Sequence, residues 1–418
     1  MKIPFQTPAR KRIVAAVAIV LAVFYVGLAG RELLGSWLGG RPKLKSLERA
    51  AWLDPGNAEY RDHLGRYYDL VVRDPATAVR YYKAAVQLNP HSARYWFDLA
   101  GTYQVLGDTP SQTAALEQAI HADGMTPDVA WEAANLYLVQ GENEKALREF
   151  SVVLANDTSL AATAIQYCWR INPDVDSLLR DVVPHTADAY VAFLTLLEAK
   201  QEARGTFKVW DALMQAHQHF EVHNAFDYVR FLVQHKEVDQ AVLVWEQAAE
   251  RFGLTSYLPS STNSIVNGSF GLDVLNGGFD WQYGKQSGVT LMLDPSDFHS
   301  GRRSMLIAFD GPGINDAGIY QLVAVQPNTT YDFSAYYKSE ELEGAGGPHL
   351  MVQDMYDLAV YYDSDEMKEQ GYWKSVDGEF TTSPDCKLVV VHVKRLPEGS
   401  PIRGKLWIDD LHLVRKPS

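Results

Sequence analysis

Eighteen consecutive residues without a charge, 13–30 (IVAAVAIVLAVFYVGLAG), constrain this chain more than any other feature. At about 1.5 Å per helical residue, the run nearly spans a hydrocarbon core of roughly 30 Å. A helix that is apolar all round needs apolar surroundings. Everything after it mixes polar and apolar residues as water-exposed protein does. The sequence therefore predicts a transmembrane anchor at 13–38, behind a basic segment at 1–12, carrying a large soluble body. A length of 418 residues leaves room for two or three domains, each with its own core.

The net charge is −14, but it is unevenly spread. Residues 1–49 hold nine Lys and Arg against Glu32 and Glu48, which puts this stretch at +7 and the remainder at −21. Nucleic-acid phosphates need a cationic face, so a body this acidic excludes them as partners. Lys2, Arg10, Lys11 and Arg12 precede the apolar run and favour a cytoplasmic N-terminus. Arg31, Arg41, Lys43, Lys45 and Arg49 follow it and pull the other way. The reading is a single pass with the body outside. A cleavable signal peptide is the alternative, with Gly27 and Ala29 spaced for a cut at Gly30. Against it, the run exceeds the usual signal-peptide core of about 7–15 residues. Cys168 and Cys386 fall in different predicted domains and read as buried free thiols.

Between residues 46 and 255 the apolar pattern recurs with a period of about 34 residues. Pro90 closes one unit, and the next places Trp96, Leu99, Ala100, Tyr103 and Gly107 before Leu116 and Ala119. The unit before offers Leu64, Gly65, Tyr68, Ala78, Tyr82 and Ala85, with one extra residue in its turn. The unit after offers Ala133, Ala134, Tyr137, Gly141, Ala146, Phe150 and Val153. Small residues such as Gly65, Ala100 and Ala134 let a second helix approach, and Tyr82 and Phe150 then fill the groove. These residues resemble the tetratricopeptide repeat, which implies antiparallel helix pairs that bind protein partners. Tyr190, Phe193, Leu194, Leu197, Trp210 and Leu213 fit a fifth unit. Tyr228, Val229, Leu232, Ala241, Trp245 and Ala248 fit a sixth, whereas 158–186, with Pro173 and Pro184, read as a shortened one. Tyr67, Tyr68, Tyr81 and Tyr82 invite a ligand-stacking role, but alternate members of such pairs point into the helix core. His217, His219 and His223 invite a metal, but a predicted turn between units interrupts their helical face.

After a polar linker at 256–262, the period changes to two in 331–336, 388–393 and 405–408, with Gly, Pro, Asn and Asp turns between. That pattern predicts an all-β sandwich of jelly-roll type over 263–418. Asn267, Gly268, Ser269 and Phe270 are followed by Trp281, then His299, Ser300, Gly301 and Ser304. Next come Tyr320 and Gln321, residues 325–335 (VQPNTTYDFSA), Trp373, residues 380–382, and a closing Trp407, Ile408, Asp409 and Asp410 with Leu413. This ordered set resembles the carbohydrate-binding modules appended to xylanases and laminarinases, a galactose-binding-like jelly roll. Pro327 to Thr330 also read simply as a turn, and Trp281, Trp373 and Trp407 as core packing.

The resemblance implies glycan as ligand. A sugar stacks its apolar C–H face on an aromatic ring and offers its hydroxyls to polar groups. Tyr283, Tyr356, Tyr361 and Tyr362 are the candidate platforms, with Gln282, Gln353 and Asp354 as polar neighbours. On a strand, Tyr361 and Tyr362 face opposite sides, so at most one of them serves. In the resembling family an acidic residue at the position of Asp409 and Asp410 helps hold a structural Ca²⁺, together with an acid after the NGSF stretch. Gly271 stands at that second place, leaving Asp409, Asp410 and backbone carbonyls as candidate donors.

Catalytic signatures are missing. There is no G-x-S-x-G elbow, phosphate loop or H-E-x-x-H helix. Asp363, Asp365, Glu366 and Glu369 crowd a hydrophilic stretch that reads as a solvated loop. The expectation is a non-enzymatic scaffold in the bacterial inner membrane, its body in the periplasm, with no required cofactor. Its repeats would recruit a protein partner and its jelly roll would contact glycan during exopolysaccharide or surface-polysaccharide assembly and export. The alternative is a protein–protein adaptor of an envelope complex that binds no glycan.

Overall fold

The computed structural model describes residues 8–368 and 371–417. Lys2 of the basic segment and Glu369 of the acidic stretch lie outside them. The apolar run lies within α1 (Pro8–Gly39), where the stretch Lys11–Gly39 is long and apolar enough to cross a membrane. None of its most apolar window is buried within the protein. A signal sequence would have the same character. Beyond it the chain divides into two compact units. One runs through residue 196 and includes 208–216; the other holds 197–207 and everything from 217 onward.

The first unit is built of tetratricopeptide-like helix pairs. After α2 (Leu44–Leu53) come α3 (Ala58–Arg66), α4 (Pro75–Leu88), α5 (Ala93–Leu106), α6 (Thr109–Ala122), α7 (Pro127–Gln140) and α8 (Asn143–Asn156). Local chemistry sets the helix ends. Asp74 and Asp108 cap α4 and α6, their Oδ1 atoms accepting from the Thr77 and Ser111 amides at 3.1 and 3.2 Å. α5 and α7 stop at Gly107 and Gly141, whose φ of 72° and 78° suits glycine. Between helices of a pair, small residues meet large ones. A Cβ on Gly65 would lie 2.6 Å from the Tyr82 ring. Phe150 is fully buried between Trp131 and Tyr167, at 5.5 and 5.4 Å between ring centres. The extra residue of the first repeat is absorbed as a π-helical turn, Tyr67–Val72, that ends at left-handed Arg73. Tyr82 belongs to the core, while Tyr68 and Tyr81 stack on each other at 5.3 Å. The shortened unit consists of α9 (Thr158–Ile171) and the seven-residue α10 (Val175–Asp181). Cys168 is buried and free.

Four more helices follow, α11 (Ala187–Ala199), α12 (Ala203–Gln215), α13 (Val222–Gln234) and α14 (Val238–Phe252), of which α13 and α14 pack on each other. His217 and His219 lie in the connection before α13, and His223 lies in its first turn. Among the described residues, no group of three or more His, Cys, Asp or Glu is placed to hold a metal ion.

α13 and α14 share the second compact unit with a β-sandwich. Its strands are β1 (Gln282–Tyr283), β2 (Val289–Asp294), β3 (Ser304–Gly313), β4 (Asp316–Ala324), β5 (Thr330–Glu343), β6 (Gly347–Asp354), β7 (Val360–Asp363), β8 (Lys374–Thr381), β9 (Leu388–Leu396) and β10 (Pro401–Arg415). Two antiparallel sheets, ordered β1-β4-β9-β6-β7 and β2-β3-β10-β5-β8, enclose the core between them. Trp281 is fully buried there against Phe270, and its indole N–H donates to the Asn267 carbonyl at 3.2 Å. Trp407 is buried on the second sheet, donating to Asp294 Oδ2 at 2.7 Å. Trp373 is half-buried beside His299. The stretch 256–262 is no loose tether. Tyr257 is buried, its carbonyl accepts from Trp245 Nε1 at 3.2 Å, and its hydroxyl donates to the Asp273 carbonyl at 2.8 Å. Gly277 and Gly278 lie against the rings of Phe226 and Trp245 so closely that neither has room for a Cβ.

Candidate functional site

Strand alternation creates a second face on the first sheet. Ile319 and Val323 of β4, Val389, Val391 and Val393 of β9, and Leu350 and Val352 of β6 point into the core. The period of two then turns Tyr320, Leu322, Val390, His392, Met351 and Gln353 outward. The strand register sets them in two rows. Gln282 pairs with Tyr320, Tyr320 with His392 and His392 with Met351; beside them Leu322 pairs with Val390 and Val390 with Gln353. Above this face lies a cleft of about 490 Å³, floored by the sheet and walled by Phe226, Val229, Arg230, Val233 and Gln234 of α13. Gly277, Gly278, Gly284 and Gly318 also line it. Its walls are mostly apolar with a few convergent polar groups, the usual make-up of a small-ligand site.

Those polar groups are held in place. The Tyr320 hydroxyl donates to Gln282 Oε1 at 3.1 Å, and Gln282 Nε2 donates to the Gly278 carbonyl at 3.0 Å. His392 is only 6% exposed, with Nδ1 2.8 Å from Asp316 Oδ2. A carboxylate can only accept, so the pair places a proton on Nδ1 and leaves Nε2 as the ring's other hydrogen-bonding atom. That Nε2 is buried and has no partner among the described residues. Buried polar atoms are normally paired, so an orphan on a residue lining a cleft marks a place for a ligand's hydrogen-bonding group.

Of the residues singled out from sequence, Gln282 and Gln353 line the cleft and Tyr283 does not. Tyr283 is 47% exposed and lines a separate depression with Val289, Leu291 and Met292. Asp354, Tyr356, Tyr361 and Tyr362 have internal roles. Asp354 is buried and accepts from the Tyr356 and Asp357 amides at 2.8 and 3.3 Å. Burial raises its pKa, but hydrogen bonds from Cys386, these amides and Tyr361 outweigh it, leaving the carboxyl below its ordinary value. The Tyr356 hydroxyl donates to the Val233 carbonyl at 2.8 Å, fixing the sandwich to α13. Tyr361 stacks on Phe380 at 5.5 Å, and Tyr362 packs on Phe333 at 4.9 Å. Burial pushes the Tyr356 and Tyr362 hydroxyls up to about 12. Strict alternation would put one of Tyr361 and Tyr362 on the outer face. Instead the register slips between Val352 and Gln353, and both rings pack against the core. The sequence shows Tyr320 only as part of the resemblance and His392 only as a strand residue, because the pairing of β4 with β9 is what brings them together. Their signal was the alternation within 316–324 and 388–396.

The calcium donors do not fit a cation. Asp409 is fully buried, with Oδ2 accepting from the His299 and Ser300 amides at 2.8 and 3.1 Å and Oδ1 from the Asp410 amide at 2.8 Å. Asp410 binds His299 Nδ1 and accepts from Ser300 Oγ. The carbonyls of Phe270 and Gly271 accept from the Arg303 guanidinium, which also pairs with Asp273 at 2.8 Å. A fixed positive charge and N–H donors thus meet the oxygens that a hard cation would need.

A family model described as a carbohydrate binding domain matches residues 262–398. No curated protein matches the chain. Among solved structures, the chain is similar to one described as "CBM4 structure and function", with 16% identity over 37% of this chain and 100% of that one and a TM-score of 0.29. It is also similar to the MamA protein, with 17% identity over 46% of this chain and 91% of that one and a TM-score of 0.25. PilF of Pseudomonas aeruginosa is a third, with 14% identity over 57% of this chain and 91% of that one and a TM-score of 0.24.

Proposed function

We propose that this chain, in which residues 262–398 form a carbohydrate-binding domain beside tetratricopeptide-like repeats, is a non-catalytic scaffold holding glycan on the outer face of the β1-β4-β9-β6-β7 sheet. The observation that carries this reading is the cleft itself. Gln282, Tyr320, Gln353 and the unpartnered Nε2 of His392 converge on a mostly apolar trough of about 490 Å³ that Arg230, Gln234 and Asp316 also line. Amides and an imidazole suit hydroxyls, and the apolar walls suit the C–H face of a sugar ring. The repeats supply a surface for protein partners. The apolar helix α1 anchors the protein in a bacterial inner membrane with its body in the periplasm. An anchor, a scaffold and a glycan module together suit exopolysaccharide or surface-polysaccharide assembly and export, where a growing chain must be kept near its machinery. Both domains are of binding kinds, and the reading gives neither of them a reaction to catalyse.

The test is retention of the full chain, in mild detergent, on immobilised polysaccharides. Wild type is expected to be retained on at least one, and Gln282→Ala with Gln353→Ala is expected to pass through while still folded. Retention of neither would favour an adaptor that binds only protein. Release of reducing ends from a retained polysaccharide would replace the scaffold with a hydrolase.

A further inference from the structure

α13 occupies an unusual place. By sequence it opens the last helical repeat, yet it belongs to the same compact unit as the sandwich, and five of its residues line the cleft on the sheet. Several independent contacts hold it there. The Tyr356 hydroxyl donates to the Val233 carbonyl, and Lys236 lies 5.3 Å above the Tyr356 ring. Next to it, Lys387 pairs with Asp239 of α14 at 2.5 Å, and the Phe226 ring of α13 closes on Gly277. These contacts make the helix a fixed wall of the cleft.

We infer that α13 is part of the glycan site, and that the site takes a short segment or the end of a glycan rather than the middle of a long chain. The inference rests on the proposed function and deepens it. An open sheet face would let a polysaccharide run across in either direction, with affinity growing as more sugars make contact. Here a helix stands along the cleft, and the cleft volume of about 490 Å³ falls within the roughly 300–1,000 Å³ typical of small-ligand pockets. The ligand is sandwiched between two chemistries. Below it lie the amides of Gln282 and Gln353 and the unpartnered Nε2 of His392. Beside it, Gln234 and Arg230 are the exposed polar groups of the helix, with the half-buried Phe226 as the apolar surface for a ring. Asp316 is a positioning residue, because its carboxylate fixes the His392 ring and with it the atom offered to a hydroxyl. A glycan seated there touches the repeats and the sandwich together, so the scaffold and its cargo share one helix.

The experiment measures affinity of the full chain in detergent for an array of neutral and uronate-bearing oligosaccharides, from disaccharides upward. Arg230→Ala with Gln234→Ala is expected to weaken binding at least tenfold with an unchanged melting temperature. Glu246→Ala, an exposed position on α14, should have no effect. Affinity should level off at short length. Sheet variants Gln282→Ala and Gln353→Ala losing binding while the α13 pair keeps it would overturn the role of the helix and leave the proposed function standing. Affinity that keeps climbing with chain length would overturn the short-segment claim in the same way. No binding by wild type to any member, or sheet variants that bind like wild type, would overturn both.

Discussion

In the helix pairs, the large aromatic residues that stand out in the sequence are core residues, and in the sandwich most of those chosen as ligand platforms are core residues too. Tyr82 fills the space beside Gly65, and Phe150 is buried between Trp131 and Tyr167. Tyr361 and Tyr362 likewise turn onto Phe380 and Phe333. The difference lies in what remains for binding. In the repeats, one helix carries its own spacing, so a face can be read from a single segment. In the sandwich, the outer face is assembled from four strands that are far apart in sequence, and no segment announces it.

The largest effect should come from the cores, and it should differ in reach. Phe150→Ala and Trp281→Ala should each cost about 3–5 kcal/mol by cavity formation. Repeats are stabilised by their neighbours, so proteolysis of the first variant should open sites near 125–170 before others. Trp281→Ala should melt the sandwich as one piece. Equal, global loss in both would erase the contrast. Gly65→Ala comes next, because its Cβ would collide with the Tyr82 ring. Overpacking there should cost about 1–3 kcal/mol, read as a lower urea midpoint.

A pH titration sharpens the sandwich side. Asp280 is fully buried; burial pushes its carboxyl from the ordinary 3.8 up to about 6, although the Leu275 and Trp281 amides and Asn267 pull it back. Its folded pKa is above the unfolded one, so its contribution is complete below 3.8 and is lost as pH rises through about 6. The stability of wild type relative to Asp280→Asn should fall by about 3 kcal/mol between these limits. A flat difference would mean that the carboxyl is solvated. The smallest expected effect is that of chelator. With Asp409 committed to amides and Arg303 on the Phe270 and Gly271 carbonyls, EDTA should leave the melting temperature unchanged. A drop reversed by Ca²⁺ would show that these donors rearrange around the ion.

How much could be read in advance follows from the same contrast. The helical repeats, buried Tyr228 and Trp245, and the short helix of the pair within 158–186 were legible, because helical packing repeats within about 34 residues. The two-sheet sandwich was legible from its period of two. Gln282 and Gln353 were found as polar neighbours of tyrosines, although the tyrosines themselves lie elsewhere. The juxtaposition of His392 and Tyr320 was out of reach, since it depends on β4 pairing with β9. Nor does composition reveal that α13 would stand against the sheet. That contact rests on glycines 277 and 278, which look like ordinary turn residues.

The most direct test is titration calorimetry of the full chain against the best-retained oligosaccharide, comparing wild type with Gln353→Ala. Gln353 lies on the cleft floor and has no part in the core. A loss of at least tenfold in affinity with an unchanged melting temperature is the predicted result. Undiminished affinity in a folded Gln353→Ala protein would contradict a glycan site on this sheet.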